Sequence, residues 1–182
     1  MSRRRVGIFL FAMLVATSAK SASGQSLEPN TFIQSNISSA KIVANDDRRY
    51  VVDISILASD VEQMFQKSGG ERVGIDLSRP GALEREIGKF VGNRVEMRAN
   101  NGASCNSRVE QVGEDPTNDE GVLVQLSFEC AGDDPTYDAT KLLAAQGSRA
   151  WQVVTILRGD AKRQIMVNGE SLPVRLSEAP RR

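Results

Sequence analysis

The chain has 182 residues, with 23 basic side chains, 23 acidic side chains and no histidine. A balanced charge without a clustered basic excess argues against nucleic acid as a partner. The lack of histidine argues against zinc sites of the usual cysteine and histidine type and against a serine nucleophile activated by histidine.

The first 24 residues have the segment order of a secretory signal peptide. Arg3, Arg4 and Arg5 precede an apolar run from Val6 to Ala16, and small residues follow as far as Gly24. The apolar run is short for a membrane span, and this order is typical of a cleaved export signal. We predict cleavage near Gly24 and a periplasmic or secreted product.

Residues 25–182 are predicted to form a single exported, β-rich domain. Residues 1–24 contain four basic residues and no acid, so their removal leaves 19 basic and 23 acidic side chains. The remainder contains no long apolar run, and we expect it to be soluble, without a transmembrane segment.

Cys105 and Cys130 are the only cysteines in the chain. Metal and redox centres usually place cysteines close together or add histidine, whereas paired cysteines in an exported protein usually form a disulfide. A hairpin of residues 105–112 and 121–130, around the loop GEDPTNDE, can set these two cysteines opposite each other. The same register places five apolar residues on one face, as strand alternation requires: Val122, Val124, Leu126, Phe128 and Cys130. We therefore predict a Cys105–Cys130 disulfide in place of two free buried thiols.

The segment KIVANDDRRYVVDISILA predicts two strands around Asn45-Asp46-Asp47, because apolar residues alternate along it. The residues expected on its buried face are Tyr50, Val52, Ile54 and Ile56. A helix should follow, with Ser59 and Glu62 as a capping box, and Gly69-Gly70 should end it. Its apolar residues at helical spacing are Val61, Met64 and Phe65.

A second helix is predicted to begin near Ser78-Arg79-Pro80 and to end at Gly92. Its expected buried face consists of Leu83, Ile87, Phe90 and Val91. The segment RVEMRANNGASC then predicts a strand with Val95, Met97 and Ala99 on its apolar face. A three-residue loop, Asn100-Asn101-Gly102, is preferred to a two-residue turn because it sets Met97 opposite Cys105 and joins the apolar faces.

The end of the chain is predicted to be a meander with two-residue turns at Gly159-Asp160 and Asn168-Gly169. These turns place Val154 opposite Ile165, and Ile165 opposite Leu172. The expected buried face consists of Val154, Ile156, Ile165, Val167, Leu172, Val174 and Leu176. The segment TYDATKLLAAQ is compatible with helix or strand.

The predicted fold class is α+β, with seven or eight strands. The sheet is expected to be mainly antiparallel and sandwich-like, with two short helices inserted between the early and central strands.

Four segments together resemble the extracytoplasmic N-terminal domain of HupE/UreJ-like proteins, the hydrogenase and urease accessory family. They are VDISILASDVEQMF, LEREIGKFVGNRVEM, NNGASC and VLVQLSFEC, and the resemblance covers roughly residues 38 to 145. It implies the same fold and an extracytoplasmic location. The family's domain usually has a histidine-containing stretch after the second cysteine and precedes membrane helices. Here that stretch reads DDPTYDATKLLAAQGSRAW, without histidine, and residues 152–182 contain no long apolar run.

Three acidic pairs are the candidates for calcium binding or carboxylate catalysis: Glu114-Asp115, Asp119-Glu120 and Asp133-Asp134. Their spacing lacks the glycine-centred pattern of the common calcium loop, so we interpret them as solvated turns. A Ser-Lys dyad would need Lys41, Lys67, Lys89, Lys141 or Lys162 as the base. The S-x-x-K spacing occurs at Ser38–Lys41, but a match this short is not specific for a dyad. Trp151 is interpreted as a packing residue, with a ligand platform as the alternative.

The sequence thus predicts no catalytic residue, cofactor or metal, and we expect no tight site for nickel or zinc. The expected function is a non-catalytic binding or accessory module for a periplasmic or membrane protein partner. The alternative is a carboxylate-dependent exported hydrolase.

Overall fold

The computed structural model describes residues 36–45, 48–68 and 81–177, all within one compact unit. The predicted signal peptide, Gly69-Gly70 and Ser78-Arg79-Pro80 lie outside the described residues. Within the described ranges, no helix has the length and apolar character needed to span a membrane.

The described residues form nine strands and three helices. The strands are β1 (Ile37–Ala44), β2 (Arg49–Leu57), β3 (Glu96–Arg98), β4 (Asn106–Asp115), β5 (Asn118–Glu129), β6 (Thr136–Asp138), β7 (Trp151–Arg158), β8 (Ala161–Asn168) and β9 (Val174–Arg175). The helices are α1 (Ala58–Ser68), α2 (Ala82–Gly92) and α3 (Thr140–Gln146).

The strands form a six-stranded sheet in the order β4-β5-β2-β1-β7-β8 and a three-stranded sheet in the order β3-β6-β9. All neighbouring strands are antiparallel except β1 and β7, which are parallel. The α+β class is therefore confirmed, and the arrangement is consistent with a sandwich. The parallel pair makes the large sheet mixed.

Strand alternation divides the large sheet into two faces. On β2, Tyr50, Val52, Ile54 and Ile56 are buried as predicted, and the residues between them are more exposed. These residues share one hydrophobic core with residues of the helices and of the small sheet. We call this side of the six-stranded sheet the inner face and the opposite side the outer face.

The predicted disulfide is confirmed, and the predicted hairpin register holds from Cys105 to Val109. Cys105 is bonded to Cys130, and Val109 of β4 pairs with Leu126 of β5. The predicted eight-residue loop was too long, because the ladder continues to Asp115 opposite Asn118. A register shift between Val109 and Gln111 accommodates the longer hairpin.

The three-residue loop before Cys105 is also confirmed. The Cys105 N–H donates to the Met97 carbonyl at 2.8 Å, and the Ala99 N–H donates to the Ala103 carbonyl at 2.9 Å. Gly102 has φ +82°, a left-handed conformation that glycine adopts without steric cost. Patterning of the apolar face therefore outweighed the Asn-Gly preference for a two-residue turn.

The helices correct two expectations. The α1 helix begins at Ala58, one residue before Ser59, so Ser59 lies inside the first turn and does not cap it. Leu83 of α2 is 45% exposed, because the helix packs through Gly88 against β4. A Cβ built on Gly88 would lie 2.9 Å from a methyl carbon of Val109, so a side chain there would prevent the close approach.

The predicted C-terminal meander is right for its first turn and wrong for its second. Val154 pairs with Ile165, but Leu172 does not pair with Ile165 and is 86% exposed. The Asn168 side-chain oxygen accepts from the Glu170 N–H at 3.0 Å and from the Ser171 hydroxyl at 2.9 Å, which turns the chain away from β8. Val174 then pairs with Tyr137 of the small sheet. The ambiguous segment after Pro135 contains both a strand, β6, and a helix, α3.

Candidate functional site

A charged cleft of about 190 Å³ lies at the end of the large sheet where β1 and β7 finish and β2 begins. Its charged and polar lining side chains include Arg48, Tyr50, Asp133, Asp134 and Arg158. They come from the β1–β2 connection with the start of β2, from the segment after Cys130 and from the end of β7. The cleft is thus assembled from three parts of the chain that are distant in sequence.

Arg48 holds the wall of this cleft in place. Its Nε donates to Asp133 Oδ1 at 2.9 Å, and its Nη1 donates to the Ala131 carbonyl at 3.2 Å. The Cys130 N–H donates to the Arg48 carbonyl at 3.1 Å. The disulfide and Arg48 therefore fix the same segment from two sides.

The three acidic pairs do not converge on one site. Glu114-Asp115 and Asp119-Glu120 lie at the tip of the β4–β5 hairpin, whereas Asp133-Asp134 follow the opposite end of β5. Asp133 is bonded to Arg48, and Asp134 Oδ1 accepts from the Ser177 N–H at 3.0 Å. Among the described residues, no group of three or more potential metal-ligating side chains is found.

Asp115 has a local structural role. Its Oδ1 accepts from the Thr117 N–H at 2.8 Å and from the Thr117 hydroxyl at 2.6 Å, which closes the hairpin turn. Burial alone would raise the pKa of this carboxyl. Hydrogen bonds from Ser55 and Thr117 outweigh that effect and lower the pKa.

Three of the five lysines considered as catalytic bases are paired with carboxylates. Lys41 lies 3.9 Å from Asp53, Lys89 lies 2.8 Å from Glu86, and Lys141 donates to Glu96. Bonds from Lys141 and then Arg98 lower the pKa of Glu96. The Lys41 and Lys141 contacts join neighbouring elements at the surface, whereas the Lys89 contact lies within α2.

The buried polar residues gather at the other end of the large sheet, where β1 and β7 begin. In the described ranges they are Ser38, Asp60, Asp115, Gln146 and Gln152. The Tyr137 hydroxyl donates to Gln152 Oε1 at 2.9 Å, and burial raises the pKa of this phenol, so it remains a neutral donor. The sequence signal for the Tyr137–Gln152 pair is Gln152, a polar residue that shares the inward face of β7 with Val154 and Ile156.

Asp60, in the first turn of α1, is buried, and its Oδ2 has no hydrogen-bond partner among the described residues. Burial raises its pKa, and the Lys67 ammonium offsets only part of this rise. The folded state therefore favours the protonated carboxyl over the carboxylate. The contribution of Asp60 to the free energy of unfolding is present at low pH and is lost as the pH rises through its pKa.

We expect Asp60→Asn to stabilise the protein by about 1 kcal/mol at neutral pH, because it removes a buried charge without a full set of partners. The lost interaction with the helix dipole is smaller, about 0.5 kcal/mol. Urea denaturation should show the gain shrinking towards roughly pH 3, where the wild-type carboxyl is protonated. Asp119→Asn, at an exposed position, is the control. A gain that is equal at both pH values would contradict the assignment to ionisation.

An apolar patch lies on the outer face, formed by Ile37, Trp151, Val153 and Met166. Ile37 of β1 pairs with Trp151 of β7, and Val153 of β7 pairs with Met166 of β8. Ile37, Trp151 and Met166 are 50%, 36% and 58% exposed. Trp151 is thus a surface residue within the apolar patch. Next to the patch is a shallow depression lined by Leu57, Ile37 and Val153, so Leu57 extends the apolar surface.

The patch has a polar boundary and reaches an edge of the sheet that the described strands form. Further along the outer face, Lys41 pairs with Asp53, and the Gln164 amide donates to the Thr155 hydroxyl at 3.1 Å. The β8 strand, which contributes Met166, is an edge of the sheet. Sequence reasoning identified only Trp151, because the patch depends on the parallel pairing of β1 with β7.

A comparison with models of known protein families finds no match, and a comparison with curated proteins finds no significant relative.

Proposed function

We propose that this chain is an exported, non-catalytic binding or accessory domain that docks a periplasmic or membrane protein on its apolar patch. The observation that carries the proposal is the cluster of Ile37, Trp151 and Met166 on the outer face of the large sheet. Clustered apolar side chains with a polar boundary are typical of interaction surfaces, whereas single exposed apolar residues are ordinary.

The position of β8 at the edge of the sheet also supports docking at this patch. An edge strand presents N–H and C=O groups that a partner strand can pair with. Because Met166 lies on this strand, a partner strand added at the edge would bring its own side chains beside the patch. Main-chain pairing and apolar contact could then act together.

The side chains of this chain support a binding function better than a carboxylate-dependent hydrolase, the alternative considered above. The chain has no histidine, and both cysteines are in the disulfide. The two acids of the charged cleft are adjacent in sequence and already accept hydrogen bonds from Arg48 and from Ser177. A hydrolase would need two carboxylates placed on either side of a scissile bond.

The proposed location rests on the signal-like first 24 residues and on the disulfide, since disulfides persist in oxidising compartments. The resemblance to the extracytoplasmic domain of HupE/UreJ-like proteins supports a partner at the membrane. We propose that relationship on the four quoted segments, which contribute to β2–α1, α2–β3, the loop before Cys105 and β5.

The proposal is tested by co-purification from the exported fraction of cells that produce the protein. Ile37→Glu combined with Met166→Glu should reduce the recovered partner at least tenfold, because both substitutions place charges within the docking surface. Leu172→Glu is the matched control, because Leu172 is 86% exposed and lies outside the patch.

All variants should keep the wild-type thermal unfolding midpoint, since the replaced side chains lie at the surface. Partner recovery by the double variant at the wild-type level would reject the patch. Equal loss with Leu172→Glu would show that any added surface charge disturbs binding.

A further inference from the structure

The charged cleft contains two polar groups that the described residues leave without a hydrogen bond or an ion pair. Arg48 and Asp133 are bonded to each other, and Asp134 binds the main chain at Ser177. Arg158 and Tyr50 also line the cleft, and neither side chain has a hydrogen bond or an ion pair with a described residue. The phenol interacts electrostatically with Arg158, Asp133 and Asp134. Within the described part of the chain, one cation and one hydroxyl donor are therefore available to a ligand.

Tyr50 is suited to donate its proton in a hydrogen bond. The residue is only 8% exposed, and burial is the main reason that its pKa is raised. Arg158 lowers this pKa, whereas Asp133 and Asp134 raise it further. The phenol therefore stays protonated at neutral pH and can donate to a negatively charged oxygen.

The backbone around the cleft adopts an unusual conformation. Arg48 has φ 56° and Asp134 has φ 52°, and they are the only non-glycine residues with positive φ in the described part of the chain. Both line the same cleft. Side chains disfavour this conformation, and residues held in it concentrate at ligand sites, where surrounding contacts impose it.

The size of the cleft limits the ligand. Its volume of about 190 Å³ is below the range of roughly 300–1,000 Å³ that drug-sized ligands occupy. A ligand of a few non-hydrogen atoms fits this space. Larger anions could enter only with one end.

We propose that this cleft binds a small carboxylate, held by the Arg158 guanidinium and the Tyr50 hydroxyl. The planar guanidinium matches the two oxygens of a carboxylate. Asp133 and Asp134 disfavour a doubly charged phosphate more strongly than a singly charged carboxylate, because like charges repel. The site is independent of the apolar patch, which lies towards the opposite end of the sheet.

The test is an NMR titration of the isotope-labelled exported protein with sodium acetate, at constant ionic strength maintained with sodium chloride. Saturable shifts are expected at the amides of Tyr50, Arg158 and Gly159, with a dissociation constant of about 1–10 mM. Arg158→Gln should weaken acetate binding at least tenfold. Tyr50→Phe, which keeps the ring and removes the hydroxyl, should weaken it about threefold.

Arg149→Gln is the control, because it removes the same charge from an exposed arginine beyond the opposite end of β7. This variant should bind acetate like the wild type. Inorganic phosphate, titrated in a parallel arm, should bind more weakly than acetate. The proposal is wrong if acetate gives no saturable shift, if Arg158→Gln binds like the wild type, or if phosphate binds as tightly as acetate.

Discussion

Replacing both Cys105 and Cys130 with alanine is expected to lower the free energy of unfolding by about 3.5 kcal/mol. The disulfide links positions 25 residues apart and so restricts the unfolded chain. It also joins the loop after β3 to the segment that forms the cleft wall. The variant should therefore lose more stability than a surface substitution does.

Urea denaturation under non-reducing conditions measures this loss, and reduction of the wild-type protein should produce a loss in the same direction. Mass mapping without reductant should identify a peptide pair containing Cys105 and Cys130. A loss below about 1 kcal/mol, within the range of ordinary single substitutions, would contradict the stabilising role of the disulfide.

Gly88→Val is expected to destabilise the protein by about 2 kcal/mol through overpacking. A Cβ at this position would lie 2.9 Å from Val109 Cγ1 and 3.1 Å from Val112 Cγ2. Both neighbours are β-branched, and their short side chains have little freedom to move aside. The helix α2 would have to move away from β4.

Gly113→Val is the control, because a Cβ at Gly113 meets no atom within 4 Å and valine suits a strand. Its stability should equal or exceed that of the wild type. Adding Val109→Ala to Gly88→Val should recover part of the loss, since it removes the nearest methyl groups. Thermal unfolding that shows no loss for Gly88→Val would indicate that α2 and β4 are less tightly packed than described.

The parts of the fold that the sequence predicted were those with two independent constraints. The β4–β5 register satisfied both the disulfide and the alternation of Leu126 and Phe128 with polar residues. The loop before Cys105 satisfied both the apolar face of β3 and the left-handed Gly102. In each case, another register would have separated apolar residues that must share a core.

The parts that failed depended on contacts between distant segments. Asn168-Gly169 is a strong local signal for a hairpin, yet the chain leaves β8 there and Val174 pairs with Tyr137. The parallel β1–β7 pairing has no local turn to indicate it. On α2, helical spacing predicted that Leu83 would be buried. The helix instead packs against β4 at Gly88, which has no side chain and so permits close approach of the two elements.

The same limit applies to the candidate sites. The apolar patch combines residues of β1, β7 and β8, so it could not be recognised before their order in the sheet was known. The charged cleft likewise brings Arg48, Asp133 and Arg158 together from three segments that are distant in sequence. Composition and cysteine usage predicted the disulfide but contained no information on these surfaces.

Site-specific photo-crosslinking in cells tests the central claim, that a protein partner docks on the apolar patch. A photoreactive amino acid at position 166 should give a discrete higher-mass adduct in the exported fraction. The same amino acid at position 172, which is exposed outside the patch, should give none. Adducts of equal yield at both positions, or only at position 172, would contradict docking on this face of the sheet.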